Sequence, residues 1–125
     1  MHPIAPRRLR DNLDGAAATE FAMISTAMFL LLLGSIEFGR MLWTVSALNY
    51  AVEEGARCAS VTPSVCGTSS QVATLASNLS SIPASAFTYT STTCGNKVVA
   101  SYTYPWIATG LFSQTLVLSA QACFP

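Results

Sequence analysis

Histidine occurs once in this chain, at position 2, and aspartate only at Asp11 and Asp14. Charge is scarce as well: Asp, Glu, Lys and Arg together make up 10% of the residues, and beyond Arg57 the only charged side chain is Lys97. Without Met1–Gly15, a stretch that reads as removable, the chain has neither His nor Asp. Its carboxylates are then Glu20, Glu37, Glu53 and Glu54, all on what reads as one helix. Glu53 and Glu54 are adjacent and point in different directions, so they make no acid–base pair. No nucleophile–base couple or metal-ligand cluster can be assembled from this inventory. A Gly-rich phosphate loop is missing too, and no basic stripe offers itself to nucleic acid. The sequence reads as a non-enzyme with no cofactor, no metal site and no nucleic-acid partner.

Charge is also missing where it tells most. No residue between Glu20 and Glu37 is charged, and Ala22 to Ile36 is an apolar run. As a helix, Ala16–Ile36 extends roughly 31 Å at about 1.5 Å per residue, the thickness of a bilayer core of about 30 Å. An acid at mid-membrane costs about 2.5–3.5 kcal/mol, and less near the edge, so Glu20 at the head of this span is a functional residue by default. If the chain is cut after Gly15, the new α-amine of Ala16 lies one helical turn before Glu20. That amine, from the same chain or a neighbour, is a natural counter-charge. Arg7, Arg8 and Arg10 outweigh Asp11 and Asp14 before the span, which keeps this end cytoplasmic by the positive-inside rule. A secretory signal peptide fits poorly, because the apolar core is too long and Glu37-Phe38-Gly39-Arg40 after it is a poor cleavage site. Twin-arginine export fits no better, given Pro6 and Leu9-Arg10 around Arg7-Arg8.

Gly15-Ala16-Ala17-Ala18-Thr19-Glu20-Phe21 heading one hydrophobic helix resembles the processing site of type IVb prepilins. With Gly34-Ser35-Ile36-Glu37-Phe38-Gly39-Arg40 and Ala56-Arg57, the chain resembles the TadE-like pseudopilins of tight-adherence (Flp) pilus systems, densely over Gly15–Ser60 and loosely afterwards. Phe21 stands where many such prepilins have Tyr, which aromatic packing tolerates. The resemblance implies cleavage by prepilin peptidase between Gly15 and Ala16, with Glu20 and Phe21 completing the recognition site. It also implies a minor or priming role in pilus assembly, adhesion and biofilm formation. Expected partners are the peptidase, other pilins and pseudopilins, the inner-membrane assembly machinery and membrane lipid. The expected location is the bacterial inner membrane, single-pass, with the head periplasmic or carried into the pilus. Glu20, Glu37 and Arg40 are the residues expected to set helix register or assembly. Two other readings stand beside this one: an uncut signal-anchored periplasmic protein, and an anchored adhesive module.

Past the span the helix continues to Ala59 and turns amphipathic. Phe38, Met41, Leu42, Val45, Leu48 and Val52 trace one stripe at helical spacing, with Arg40, Tyr50, Glu54 and Arg57 mostly off it. Glu37 with Arg40, and Glu53 and Glu54 with Arg57, have the spacing of weak surface pairs worth about 0.2–0.5 kcal/mol each. These charges read as a solvated face. Trp43 sits where an aromatic marks the outer membrane interface. An apolar stripe outside the bilayer needs a domain to cover it, as a pilin head does.

That domain is residues 60–125, in which 22 of 66 residues are Ser or Thr. Val61–Gly67 reads as a loop. Ser69–Ile82 carries Val72, Leu75, Ala76 and Leu79 at helical spacing and is stopped by Pro83; Ser69 or Ser70 can cap it. From Ala86 the period changes to alternation. Phe87, Tyr89 and Ser91 define one strand, Cys94-Gly95-Asn96 a turn, Lys97–Tyr104 a second strand ended by Pro105, Trp106–Ser113 a broad loop, and Thr115–Ala122 a third strand. Cys58, Cys66, Cys94 and Cys123 all follow the span. Their even number and the absence of Cys-x-x-Cys favour disulfides over zinc in an exported domain. Three pairings are possible. If the last two strands pair about a centre near Ala108-Thr109, Cys94 falls opposite Cys123, leaving Cys58 with Cys66. The fold class is therefore α+β: a long helix, transmembrane over 16–36 and amphipathic over 37–59, with a small disulfide-stapled head of one short helix and a three-stranded antiparallel sheet.

Overall fold

The computed structural model describes residues 8–107 and 115–125, with side chains from residue 15 onward. The start of the N-terminal segment and the centre of the loop after Trp106 lie outside the described residues. Helix α1 runs Arg8–Val61, α2 Pro63–Cys66 and α3 Ser69–Ser80; a 3-10 turn covers Ala84–Ala86, and strands β1, β2 and β3 cover Phe87–Thr92, Gly95–Tyr104 and Leu116–Phe124. The strands form one antiparallel sheet in the order β1-β2-β3. The fold is α+β, as the patterning predicts. The chain divides between Ile36 and Glu37 into two compact units.

The first unit is α1 up to Ile36. From Gly15 to Ile36 nearly every side chain is exposed, including Met23, Leu30, Leu31 and Leu33. An all-round apolar helix is stable in lipid or inside a bundle and not in water. Within α1, Gly15–Val61 contains a segment long and apolar enough to cross a membrane.

The second unit begins at Glu37. Here α1 buries Leu48, Ala51, Val52, Ala56 and Ala59 against Val72 and Ala76 of α3, Phe87 of β1, Val98, Ala100 and Tyr104 of β2, and Leu118 and Ala120 of β3. The covered stripe keeps Met41, Val45, Leu48 and Val52 of the expected one and leaves out Phe38 and Leu42. Phe38 is 57% exposed and Leu42 49%, while Met41, Thr44 and Val45 are partly covered. Small residues dominate the helix side of the interface. At Gly55 a methyl group would lie 3.2 Å from Cγ1 of Val72 and 3.7 Å from Cγ2 of Val98, so this glycine sets how closely α1 approaches α3 and β2.

Two hydrogen-bonded contacts fix the direction of β2 along α1. Asn96 Nδ2 donates to Ser60 Oγ (2.9 Å) at one end, and the Ile107 amide donates to Glu37 Oε1 (3.3 Å) at the other. Residues 37–60 of a helix span about 35 Å, and residues 96–107 of an extended chain span about 36 Å. The strand and its extension therefore cover the helix from Ser60 down to Glu37. No bare stalk separates the first residue of this unit from its covering sheet.

Local corrections have local causes. The expected loop at Val61–Gly67 contains a full helical turn, α2, with Pro63 at its start, where a missing N–H costs nothing. The cap of α3 is Thr68 and not Ser69 or Ser70. Its hydroxyl accepts from the Gln71 amide while Gln71 Oε1 accepts from the Thr68 amide, a reciprocal capping box. The helix stops two residues earlier than expected, with Ser81 left-handed at φ 59°. The hairpin turn lies at Thr93-Cys94, since Thr92 pairs with Gly95. Gly95 has φ +112°, and a Cβ there would collide with the Phe124 carbonyl and Pro125. Strand β3 continues to Phe124.

Candidate functional site

Three groups of side chains carry the chemistry of this chain. The first is the Gly15–Phe21 segment. Gly15, Ala16, Glu20 and Phe21 all lie within α1 and are exposed. Glu20 follows Ala16 by four residues and so sits one turn above it on the same helix face. The Gly15–Ala16 bond is itself helical. Glycine costs a helix about 1 kcal/mol relative to alanine, so Gly15 weakens the helix locally at this bond. The Thr19 hydroxyl donates to the Ala16 carbonyl (2.8 Å), beside the same bond. Among the described residues, Glu20 has no ion-pair partner.

The second group gathers at Glu37; the sequence reading paired Glu37 with Arg40 but missed Tyr104 and the Ile107 amide beside them. Glu37 is not a solvated charge: its side chain is only 12% exposed. Arg40 Nη1 donates to one carboxylate oxygen (3.0 Å), and the Ile107 amide donates to the other (3.3 Å). Tyr104 is 3% exposed, and its hydroxyl is buried close to Glu37 without an aligned partner among the described residues. Burial first, and then the neighbouring Glu37 carboxylate, push the Tyr104 phenol above its ordinary value of 10.0, while Arg40 pulls the other way. Trp106 packs edge-on against Tyr104, ring centres 5.6 Å apart. One signal was available. Glu37 lies four residues before Met41 and eleven before Leu48, on the covered stripe, and a carboxylate there needs partners.

The third group locks the opposite end of the head. Tyr89 donates to Asn96 Oδ1 (2.7 Å), Asn96 donates to Ser60 Oγ (2.9 Å), and Ser60 donates to the Phe124 carbonyl (3.1 Å). This chain of bonds ties β1, β2, α1 and the end of β3. The disulfides cluster nearby. Cys58–Cys66 joins α1 to α2 with Cα atoms 5.7 Å apart, and Cys94–Cys123 joins the hairpin turn to β3 at 6.3 Å. The pairing favoured by strand symmetry is present, but the register behind it differs. Tyr104 pairs with Leu116 and Asn96 with Phe124, which centres the ladder on position 110. Cys123 therefore stands opposite Lys97, and Cys94 reaches it from the turn beyond the strand end.

Among the described residues no cluster of His, Cys, Asp and Glu can hold a metal ion. Glu53 is exposed, and Glu54 faces Arg57 at 3.9 Å on the surface. Residues 15–57, about a third of the chain, match the family model described as TadE-like protein. No curated protein matches, and neither does any solved structure.

Proposed function

We propose that this chain, TadE-like over residues 15–57, is a minor pilin or pseudopilin of a tight-adherence pilus, matured by prepilin peptidase at Gly15–Ala16. One observation carries the reading. The matched segment opens at the glycine that precedes Glu20 and the apolar span, which is where a prepilin is cut. In this mechanism the basic N-terminal segment stays cytoplasmic. Cleavage after Gly15 removes Met1–Gly15 and leaves the span on the mature protein. The amine freed on Ala16 is positive and faces Glu20 one turn away, so each offsets the membrane cost of the other. Where two spans lie side by side, the amine of one and the carboxylate of the next give a single favoured register. Arg40 and Glu37 are given a narrower role than register setting, because both Glu37 oxygens are already engaged inside the head.

The mature protein waits in the inner membrane with its head periplasmic until the assembly machinery extracts it or builds around it. There it acts with the other pilins in assembly, adhesion and biofilm formation. It performs no catalysis. Co-expression with a prepilin peptidase, followed by intact mass spectrometry of the membrane fraction, tests the reading. The expected product lacks Met1–Gly15, and a Gly15→Arg variant stays full length. An intact wild-type chain in the presence of active peptidase would refute the proposal and leave an ordinary signal-anchored protein.

A further inference from the structure

The two disulfides of the head stand in opposite surroundings. Cys58–Cys66 is sunk into the core: Cys66 is 1% exposed, and Cys58 is partly covered. Cys94 and Cys123 are both exposed, one in the hairpin turn and the other near the end of β3. Because β3 lies at the edge of the sheet, their bond sits on the rim of the head.

The one charge beyond Arg57 lies at the same place. No acidic residue follows Glu54, and Lys97 is the single charged side chain after Arg57. Lys97 pairs directly with Cys123 across the β2–β3 ladder. Partners of this kind leave the same face of the sheet, with Cβ atoms about 4.5–5.5 Å apart. On the other cysteine, the Thr92 hydroxyl donates to Cys94 Sγ at 2.9 Å, since a disulfide sulfur carries no hydrogen to give. A hydroxyl also approaches Cys58, from Thr62 at 3.4 Å. The cation and the exposure of both cysteines are therefore what separate the two bonds.

Thiol–disulfide exchange needs an incoming thiolate, an approachable sulfur and a leaving thiolate that its surroundings tolerate. At Cys58–Cys66 both directions are obstructed. The core shields Cys66 from attack, and attack on Cys58 would push the leaving charge onto Cys66 in apolar surroundings, where a thiolate is disfavoured. Neither obstacle exists at the rim. We infer that Cys94–Cys123 is a thiol–disulfide exchange site, open to an external dithiol in the folded protein, while Cys58–Cys66 is a structural bond. Lys97 draws the anionic thiolate toward Cys123. The thiolate's lone pair forms a new S–S bond to Cys123 Sγ as the Cys94–Cys123 bond breaks. The electron pair of that bond leaves on Cys94 Sγ, beside the Thr92 hydroxyl, and water supplies the proton. The second thiol of the dithiol then loses its proton and attacks the donor sulfur of the mixed disulfide, so that Cys123 leaves and is protonated in turn. Two electrons and two protons pass to the cysteine pair, and the dithiol becomes a disulfide. Opening loosens only the end of the edge strand, because Leu118 and Ala120 hold β3 in the core further back. The site is independent of whether the chain is cut after Gly15.

The test uses the oxidised full-length chain in detergent micelles. It is treated with increasing dithiothreitol, blocked with N-ethylmaleimide and digested for mass spectrometry of each cysteine, with near-ultraviolet circular dichroism followed in parallel. Cys94 and Cys123 should be labelled together in protein that keeps its near-ultraviolet signal, while Cys58 and Cys66 stay joined. Glutathione, a monothiol, should leave its adduct on Cys123. Lys97→Gln should slow the reaction by about three- to tenfold, the weight of one charge about 5 Å away in water, and Lys97→Arg should keep the parent rate. Both pairs opening together, or neither opening before the near-ultraviolet signal is lost, would overturn the inference. An adduct on Cys94 would reverse the assigned leaving group, and a Lys97→Gln chain reacting at the parent rate would remove Lys97 from the site.

Discussion

Gly55 sets the approach of α1 to the rest of the head, and Gly55→Ala weighs two opposed effects. Alanine in a helix interior is favoured over glycine by about 0.8–1.0 kcal/mol. Against this, the new methyl would stand 3.2 Å from Val72 Cγ1, and Val72 is fully buried. Overpacking a filled core costs about 1–3 kcal/mol. The net expectation is a loss of about 0–2 kcal/mol, with the packing cost winning because the fully buried Val72 has little room to give way. The decisive measurement is a double-mutant cycle. Val72→Ala alone removes the opposing Cγ atoms and leaves a hole, costing about 1.5–3 kcal/mol in transfer and cavity terms. In the double variant the methyl that Gly55→Ala introduces enters that hole, so the two losses should not add. A favourable coupling of about 1 kcal/mol or more is expected for residues in direct contact. Thermal unfolding of the reconstituted full-length chain, followed by the near-ultraviolet signal of the head aromatics, reads it out. One kcal/mol corresponds to about 4–8 °C in a domain of this size. Strict additivity, or a Gly55→Ala chain stabilised by the full helix-propensity gain, would refute the packing of α1 onto α3 and β2.

Other expectations follow from single residues. Gly95→Ala places a side chain at φ +112° and drives its Cβ into the Phe124 carbonyl. The backbone strain alone is worth about 1–3 kcal/mol, so unfolding should shift by at least that much. Amide exchange should rise first at Asn96 and Phe124; a shift under about 0.5 kcal/mol, the range of neutral surface changes, would contradict the geometry. Tyr104 gives a pH signature. Its folded phenol is held above the ordinary value of 10.0. Below that pH both states keep the proton and nothing changes. As pH rises past it, the unfolded chain releases the proton while the folded chain retains it, so stability falls. Tyr104→Phe should flatten this alkaline loss in a stability–pH profile, and an unchanged slope would show that Tyr104 is not buried.

The features the sequence determined alone are those fixed by local periodicity and by the solvent each face must meet. A charge-free run from Phe21 to Ile36, apolar all round, reads as a lipid-facing or bundle-core helix from its own residues. The change from helical spacing at Val72, Leu75, Ala76 and Leu79 to alternation at Phe87, Tyr89 and Ser91 marks helix and then sheet for the same reason. The Gly15–Glu20 spacing is likewise linear. What depended on tertiary structure was every relation between distant segments. The β2–β3 register goes with the Phe124 end meeting Gly95; loop length does not require the symmetric solution. Thr68 outcompeted Ser69 and Ser70 as cap because Gln71 stands in position to return the bond. That the covered stripe keeps Met41, Val45, Leu48 and Val52 but not Phe38 and Leu42 follows from where the sheet lies against α1. Glu37 shows the difference most plainly. Beside Arg40 in sequence it is an ordinary surface pair. It becomes a largely covered acceptor because the chain leaving β2, seventy residues on, ends its run along α1 at that carboxylate and must satisfy an amide there.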